Sequence, residues 1–170
     1  MIIEIASTAR RWRLGDNVDT DILYPGRFMT LASESPRAAL EGLKALHPAI
    51  AEQFTPGDII VAGRNFGCGS SREYAATALR DLQVPIVVAT SFSRIFYRNA
   101  FNVGLPVLEC PDVNSLPDSG GITIDLATGV IETSAGELRC PTVPGFLIEL
   151  LEGGGLLERL KTRLEVGPHV

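Results

Sequence analysis

Ser70, Ser71 and Arg72 stand in a row at the end of a glycine-rich run, Gly63-Arg64-Asn65-Phe66-Gly67-Cys68-Gly69. Two hydroxyls beside a guanidinium can hold a carboxylate, because the planar arginine fork matches its two oxygens. A glycine-rich turn that opens into a helix also presents free backbone N–H groups to an anion. Arginine in a first helical turn opposes the helix dipole, so fold stability alone gains little from Arg72. The residues therefore predict an anion site. It is not a P-loop, since no lysine follows Gly69, and it is not a dinucleotide loop, since Arg72 stands where a third glycine belongs. Asp19-Thr20-Asp21 forms a second constellation, able to orient Arg72 or a partner's cation, and equally able to form ordinary Asx-type turns. Cys68 either lines the site or is simply a small residue in a tight turn. For Ser70 the plain alternative is structural: Ser70-Ser71-Arg72-Glu73 fits an S-x-x-E capping box, which would spend its oxygen on a backbone N–H.

The elements that must position these groups can be read from periodicity. Asp58-Ile59-Ile60-Val61-Ala62, introduced by Pro56-Gly57, predicts the strand before the glycine run. Tyr74, Ala75, Ala78, Leu79 and Leu82 predict one face of the helix after it. Ile2 to Ile5 and the stretch ending at Ile22-Leu23 suggest strands around a Gly15-Asp16-Asn17 turn. Residues 36–46 have helical character. Residues 85–89 and 105–108 read as buried strands flanking a helix over 92–101, an alternation that implies a parallel sheet. Ile122 to Leu126 and Val130 to Thr133, joined at Thr128-Gly129, predict a hairpin. A last helix over 145–164 is interrupted by Gly153-Gly154-Gly155. Residues 112–121 are a loop, and 1–170 form one domain.

The segment N-F-G-C-G-S-S-R-E-Y-A, Asn65 to Ala75, resembles the signature of the small, swivelling subunit of 3-isopropylmalate dehydratase, within the aconitase and homoaconitase hydro-lyases. Gly15 to Phe28 (G-D-N-V-D-T-D-I-L-Y-P-G-R-F) and Ser91 to Pro106 (S-F-S-R-I-F-Y-R-N-A-F-N-V-G-L-P) are similar to two further family motifs, in the family's order. The resemblance spans nearly the whole chain and implies an α/β fold, a three-layer β/β/α swivelling domain. It implies dehydration and rehydration of a malate derivative, with Ser70 as the base and Ser71 and Arg72 holding a substrate carboxylate. A loop through Phe28, Met29 and Thr30 would meet the variable part of the substrate. Homoaconitase-like members carry arginine at the position of Thr30, so an uncharged Thr30 favours isopropylmalate, with dimethylmalate, methylmalate or citraconate, and homoaconitate as alternatives. Relatives often have histidine where this chain has Tyr74. The [4Fe-4S] cluster is expected on a separate large subunit, with no cofactor or metal in this chain.

Composition fits an enzyme subunit of this kind. The 170 residues carry a formal charge of −5 with no basic block, which argues against nucleic acid. No apolar run reaches the length of a membrane span, and Met1-Ile2-Ile3-Glu4-Ile5 lacks the basic start of a signal peptide, so a cytoplasmic location is expected. Arg10, Arg11 and Arg13 read as a solvated or strand-edge face. The three cysteines, Cys68, Cys110 and Cys140, lack C-x-x-C spacing, and an odd count argues against a disulfide framework. Cys110 and Cys140 each precede a proline in unrelated loops. His47 and His169 read as surface residues. Outside enzymology, two readings fit the same residues: a carboxylate-binding module without chemistry, and a paralogue that only stabilises a large subunit.

Overall fold

The computed structural model describes residues 1–28, 35–70 and 72–165. Two four-stranded sheets form its frame. One is parallel, with strands β2 (Arg11–Arg13), β3 (Ile59–Ala62), β4 (Val87–Ala89) and β5 (Val107–Glu109) in that spatial order. The other is antiparallel: β1 (Ile2–Ile5), β6 (Ile122–Asp125), β7 (Val130–Thr133) and β8 (Gly136–Arg139). With the helices these make the expected β/β/α arrangement. Strands β3 and β4 are buried at every position, as parallel strands covered on both faces must be. Strand β6 instead alternates buried and half-buried residues, one face on the core and one toward solvent.

The helices are α1 (Thr20–Leu23), α2 (Ser35–Leu46), α3 (Ile50–Gln53), α4 (Tyr74–Asp81), α5 (Arg94–Val103), α6 (Gly145–Glu152) and α7 (Leu156–Glu165). Helix α5 has both ends specified by sequence. The Ser93 hydroxyl accepts from the Phe96 N–H, and Gly104, at φ 81°, closes the C-terminus in the left-handed region. The glycine interruption splits the last helix into α6 and α7. A Cβ at Gly155 would stand 2.5 Å from the Asn102 carbonyl oxygen, so the break lets the turn lie on α5.

Because the four strands of one sheet are parallel, their C-terminal ends share one edge. The segments after β2, β3 and β4 all leave from that edge, and they carry the three motif blocks. Three sequence expectations change here. Ile22-Leu23 lies in helix α1, not a strand; a short apolar pair fits either periodicity. The predicted hairpin gains a third strand, β8. And the arginine-rich segment is the edge strand β2, as the strand-edge alternative had it, but it is not solvated throughout: Arg11 is only 8% exposed, its guanidinium donating to the Gly120 carbonyl. Among the described residues no helix is long and apolar enough to cross a membrane.

Candidate active site

Two loops run side by side at the edge of the parallel sheet. The Thr20 N–H donates to the Cys68 carbonyl at 2.8 Å, and the Gly67 N–H donates to the Val18 carbonyl at 2.8 Å. Asp19 and Cys68 thereby form an isolated parallel bridge, and Phe66 forms another with Phe92. All three motif blocks thus meet at the glycine run. Further along, the Asp16 carboxylate accepts from the Arg64 N–H at 2.7 Å and from its guanidinium at 3.2 and 3.3 Å. Asn65 donates to the Asn17 side chain at 2.9 Å, and both asparagines adopt the left-handed backbone, at φ 58° and 55°. Asparagine tolerates that region better than other non-glycine residues, which explains the asparagines of the N-F-G and G-D-N lettering.

The glycines are demanded by contact. Gly67 has φ 76°, and a Cβ there would fall 2.2 Å from the ring of Phe96, itself buried against Phe66 and Phe92. Gly69 has φ 95°, with the Asp19 carboxylate 2.5 Å from a would-be Cβ. The Ser93 hydroxyl donates to the Gly67 carbonyl at 2.5 Å, and the Ser91 hydroxyl accepts from the Asn65 N–H at 2.9 Å. The start of α5 therefore buttresses the loop. Neither serine carries a local sequence signal for this role, since each bond closes a contact 26 residues away.

At the tip the chemically able side chains converge. The Ser70 hydroxyl donates to Asp21 Oδ1 at 3.3 Å and lies 3.4 Å from the Thr20 hydroxyl. The same Asp21 oxygen accepts from Arg72 Nη1 at 2.9 Å. Thr20, 2% exposed, donates to the Ser70 carbonyl at 3.1 Å and so fixes the backbone that presents Ser70. Asp19 caps α1 by accepting from the Asp21 N–H at 2.7 Å. Of the second constellation, Asp21 joins the site, Thr20 holds its backbone and Asp19 sets the turn.

Ser70 is not a helix cap. Helix α4 starts at Tyr74, its N-cap is Glu73 in helical geometry, and no side chain caps it. The S-x-x-E pattern fails because the Ser70 hydroxyl is engaged across the loops by Asp21 and Thr20. Arg72 consequently lies before the helix rather than in its first turn. Ser71, Met29 and Thr30 fall outside the described residues. Phe28 is buried at 8% exposure, its carbonyl accepting from the Tyr24 hydroxyl at 3.0 Å, so its ring packs into the core rather than facing a substrate. Tyr74 stacks on Tyr24 with ring centroids 5.5 Å apart, a packing role.

Burial, with a smaller push from Asp19, raises the Cys68 thiol above its ordinary range, so it stays protonated beside the site. Cys110 and Cys140 are not in unrelated places: the two free thiols influence each other, which pulls Cys110 down and pushes Cys140 up. His47 is half-buried rather than superficial, edge-on to Trp12 at 5.0 Å, while His169 lies outside the described residues. Among the described residues no group of three or more His, Cys, Asp or Glu side chains is placed to hold a metal ion.

Residues 43–112 match the aconitase C-terminal domain family. The 3-isopropylmalate dehydratase small subunit of Methanosarcina mazei is 44% identical over 153 residues, covering 88% of this chain and 93% of that protein. The isopropylmalate/citramalate isomerase small subunit of Methanocaldococcus jannaschii is 41% identical over 158 residues, covering 91% of this chain and 94% of that one. A crystal structure of 3-isopropylmalate dehydratase from the same archaeon superposes with a TM-score of 0.83 at 36% identity, over 98% of this chain and 97% of that one. The chain belongs to the 3-isopropylmalate dehydratase small-subunit family, a family of hydro-lyase subunits built on the aconitase C-terminal fold.

Proposed function

We propose that this chain is the small subunit of a 3-isopropylmalate dehydratase, interconverting 2- and 3-isopropylmalate through an unsaturated intermediate together with a large subunit. The observation that carries the reading is the convergence of Ser70 and Arg72 on one Asp21 oxygen, at 3.3 and 2.9 Å. Arg72 offers its fork to a substrate carboxylate, with Ser71 beside it in sequence as a hydroxyl donor. Ser70, deprotonated, takes the proton from the carbon next to the one that loses hydroxide; in the reverse direction it returns that proton. Asp21 is the acceptor within reach of the Ser70 hydroxyl, and it holds Arg72 in place. A [4Fe-4S] cluster on the large subunit would supply the Lewis acid for the departing hydroxyl. This chain's thiols do not suit that cluster, since among the described residues no group of three or more Cys, His, Asp or Glu side chains is placed to hold a metal.

Met29 and Thr30, which follow the buried Phe28 in sequence, are proposed to meet the substituent on the malate. An uncharged Thr30 favours an apolar group over an extra carboxylate. The name of the Methanocaldococcus relative supports a second substrate, citramalate, and the same chemistry would serve dimethylmalate or methylmalate. A homoaconitate-type acid fits this segment less well.

The test combines the chain with its anaerobically reconstituted large subunit and follows ultraviolet absorbance of the unsaturated acid from 2- or 3-isopropylmalate. Turnover should need both chains, and Ser70→Ala should lower kcat by about 10²–10⁴-fold, the range for loss of a general base. Ser70→Ala with wild-type turnover would remove Ser70 from the chemistry. Activity on citramalate but not isopropylmalate would keep the mechanism and replace the substrate.

A further inference from the structure

The exposed face of α5 contains an arrangement that the fold does not use. Arg94 and Arg98 are four residues apart on this helix, both exposed, and among the described residues neither has an ion pair or a hydrogen-bond partner. Elsewhere Arg13, Arg64, Arg72, Arg80, Arg139 and Arg159 each meet a carboxylate. Like charges at this spacing repel, and cations at a helix N-terminus oppose its dipole. The pair thus disfavours the isolated helix, and among the described residues no carboxylate forms an ion pair with either arginine to offset it.

The two arginines line a groove of about 580 Å³ whose wall is otherwise largely aromatic and aliphatic: Phe92, Tyr97, Phe101 and Leu147. Phe146 also lines it while 68% exposed, and Ile95, next to Arg94, is 50% exposed. Glu109 is the one carboxylate there among the lining residues, and it faces inward, accepting from the Phe92 N–H at 3.3 Å. Burial and Glu109 raise the Tyr97 phenol, so it remains a neutral donor in the groove.

We infer that this groove, with Arg94 and Arg98 beside it, is the docking site for an acidic, apolar-tipped segment of the large subunit. The inference rests on the proposed function, because a partner carrying the Lewis acid must cover Ser70 and Arg72. The groove lies on the way. Phe92 lines it and also packs edge-on against Phe66 of the glycine run at 5.9 Å, and Glu109 ends β5 at the same sheet edge from which that run leaves. The charge selects the occupant. A chain of net charge −5 that leaves two neighbouring arginines unpaired presents them to carboxylates from outside. A second copy is a poorer match: two-fold docking sets this patch against its own copy, whose one lining carboxylate, Glu109, already accepts from the Phe92 N–H.

The experiment measures assembly separately from turnover. Wild-type chain, Arg94→Glu, Arg98→Glu, the double variant and Lys44→Glu as a remote control are titrated with the large subunit, and Kd is read by analytical ultracentrifugation. Each arginine reversal should weaken assembly about 10-fold and the double variant about 100-fold, with a shallower salt dependence. At saturating large subunit kcat should recover to the wild-type value, because neither arginine touches the substrate. Circular dichroism of the isolated variants checks that they are folded. If the wild-type pair assembles and turns over while the double variant binds equally well, the docking site is overturned and the hydro-lyase reading stands. If the wild-type pair neither assembles nor turns over, the hydro-lyase reading fails and takes this inference with it. If the isolated chain self-associates and the double variant abolishes that, the groove belongs to a second copy and the inference is wrong.

Discussion

Removing the Asp21 carboxylate separates what the site does for folding from what it does for chemistry. Arg72 and Asp21 meet at 2.9 Å, but their side chains are 34% and 58% exposed. At that exposure Coulomb attraction is screened, and holding two mobile side chains together offsets much of it, so measured pairs of this type contribute about 0.2–1 kcal/mol. For a domain of this size about 1 kcal/mol moves Tm by roughly 2–4 °C. Asp21→Ala should therefore melt within about 4 °C of wild type. Its effect on turnover should be far larger. Asp21 is the described group that holds both the Ser70 hydroxyl and Arg72, and a reacting group displaced by about 1 Å can cost about 100-fold. We expect kcat/KM to fall about 10–100-fold, followed as ultraviolet absorbance with the large subunit in excess. Arg72→Ala should fall at least as far, and adding Asp21→Ala to it should cost less than the same change in wild type, since the two act through one contact. Wild-type kcat/KM in Asp21→Ala, or a strictly additive double variant, would refute the positioning argument. A Tm loss well beyond about 4 °C would show that the pair supports the fold instead.

Asp58 behaves in the opposite way. It is 1% exposed and accepts from the Arg10 N–H, the Trp12 indole and the Thr55 N–H and hydroxyl, at 2.8 to 3.1 Å. Burial alone would raise its pKa, but these donors together hold it below the ordinary carboxylate value. Its stabilisation is thus complete above the unfolded value of about 3.9 and disappears as pH falls through the lower folded value. Urea midpoints should decline below about pH 4 in wild type, and less steeply in Asp58→Asn. Asp58→Ala, which orphans several buried donors, should lose roughly 3–5 kcal/mol by urea unfolding at neutral pH. Gly67→Ala combines a left-handed backbone with a Cβ 2.2 Å from the Phe96 ring, so about 2–4 kcal/mol should be lost along with turnover. Gly15→Ala, with nothing within 4 Å, should change Tm by only a few degrees.

What the sequence made legible was whatever has a strong local signature. β3, β4 and β5 announce themselves as apolar β-branched runs, and α4 and α5 as amphipathic periods. The long glycine-rich motif singled out Ser70 and Arg72 before any geometry was known. What it hid depends on distant partners. β8, Gly-Glu-Leu-Arg, is mostly exposed at the sheet edge and shows no hydrophobic alternation. β2 places Trp12 between two arginines, and only the loop near Gly120 reveals that Arg11 is buried. Asp58 reads only as the first residue of a strand after a Pro-Gly pair; its role as a buried acceptor depends on Arg10 and Trp12, which arrive from 48 and 46 residues away. The capping-box reading of Ser70 was locally sound and was overridden by Asp21 and Thr20, about fifty residues upstream.

The same exposure that makes the Arg72–Asp21 pair weak in the free chain explains why such a site needs a partner. Between charges about 4 Å apart, the interaction grows from about 1 kcal/mol in water to about 4 kcal/mol at the effective dielectric of a protein surface. Donors fixed in place contribute most to a transition state once water is excluded. The Gly67 and Gly69 contacts, the Thr20 bond to the Ser70 carbonyl and the Ser93 bond to the Gly67 carbonyl already fix the backbone. What the free chain lacks is a cover. Docking onto the α5 groove would supply it without rearranging the loop, so assembly would act chiefly on solvent access. Activity should then follow complex formation with no slow loop-folding phase: on mixing the two subunits, the onset of turnover should track the rate of association and accelerate in proportion to large-subunit concentration. A first-order lag that stays constant as that concentration rises would mean that the loop must rearrange after docking, and the pre-formed geometry of Ser70, Arg72 and Asp21 would not be the working one.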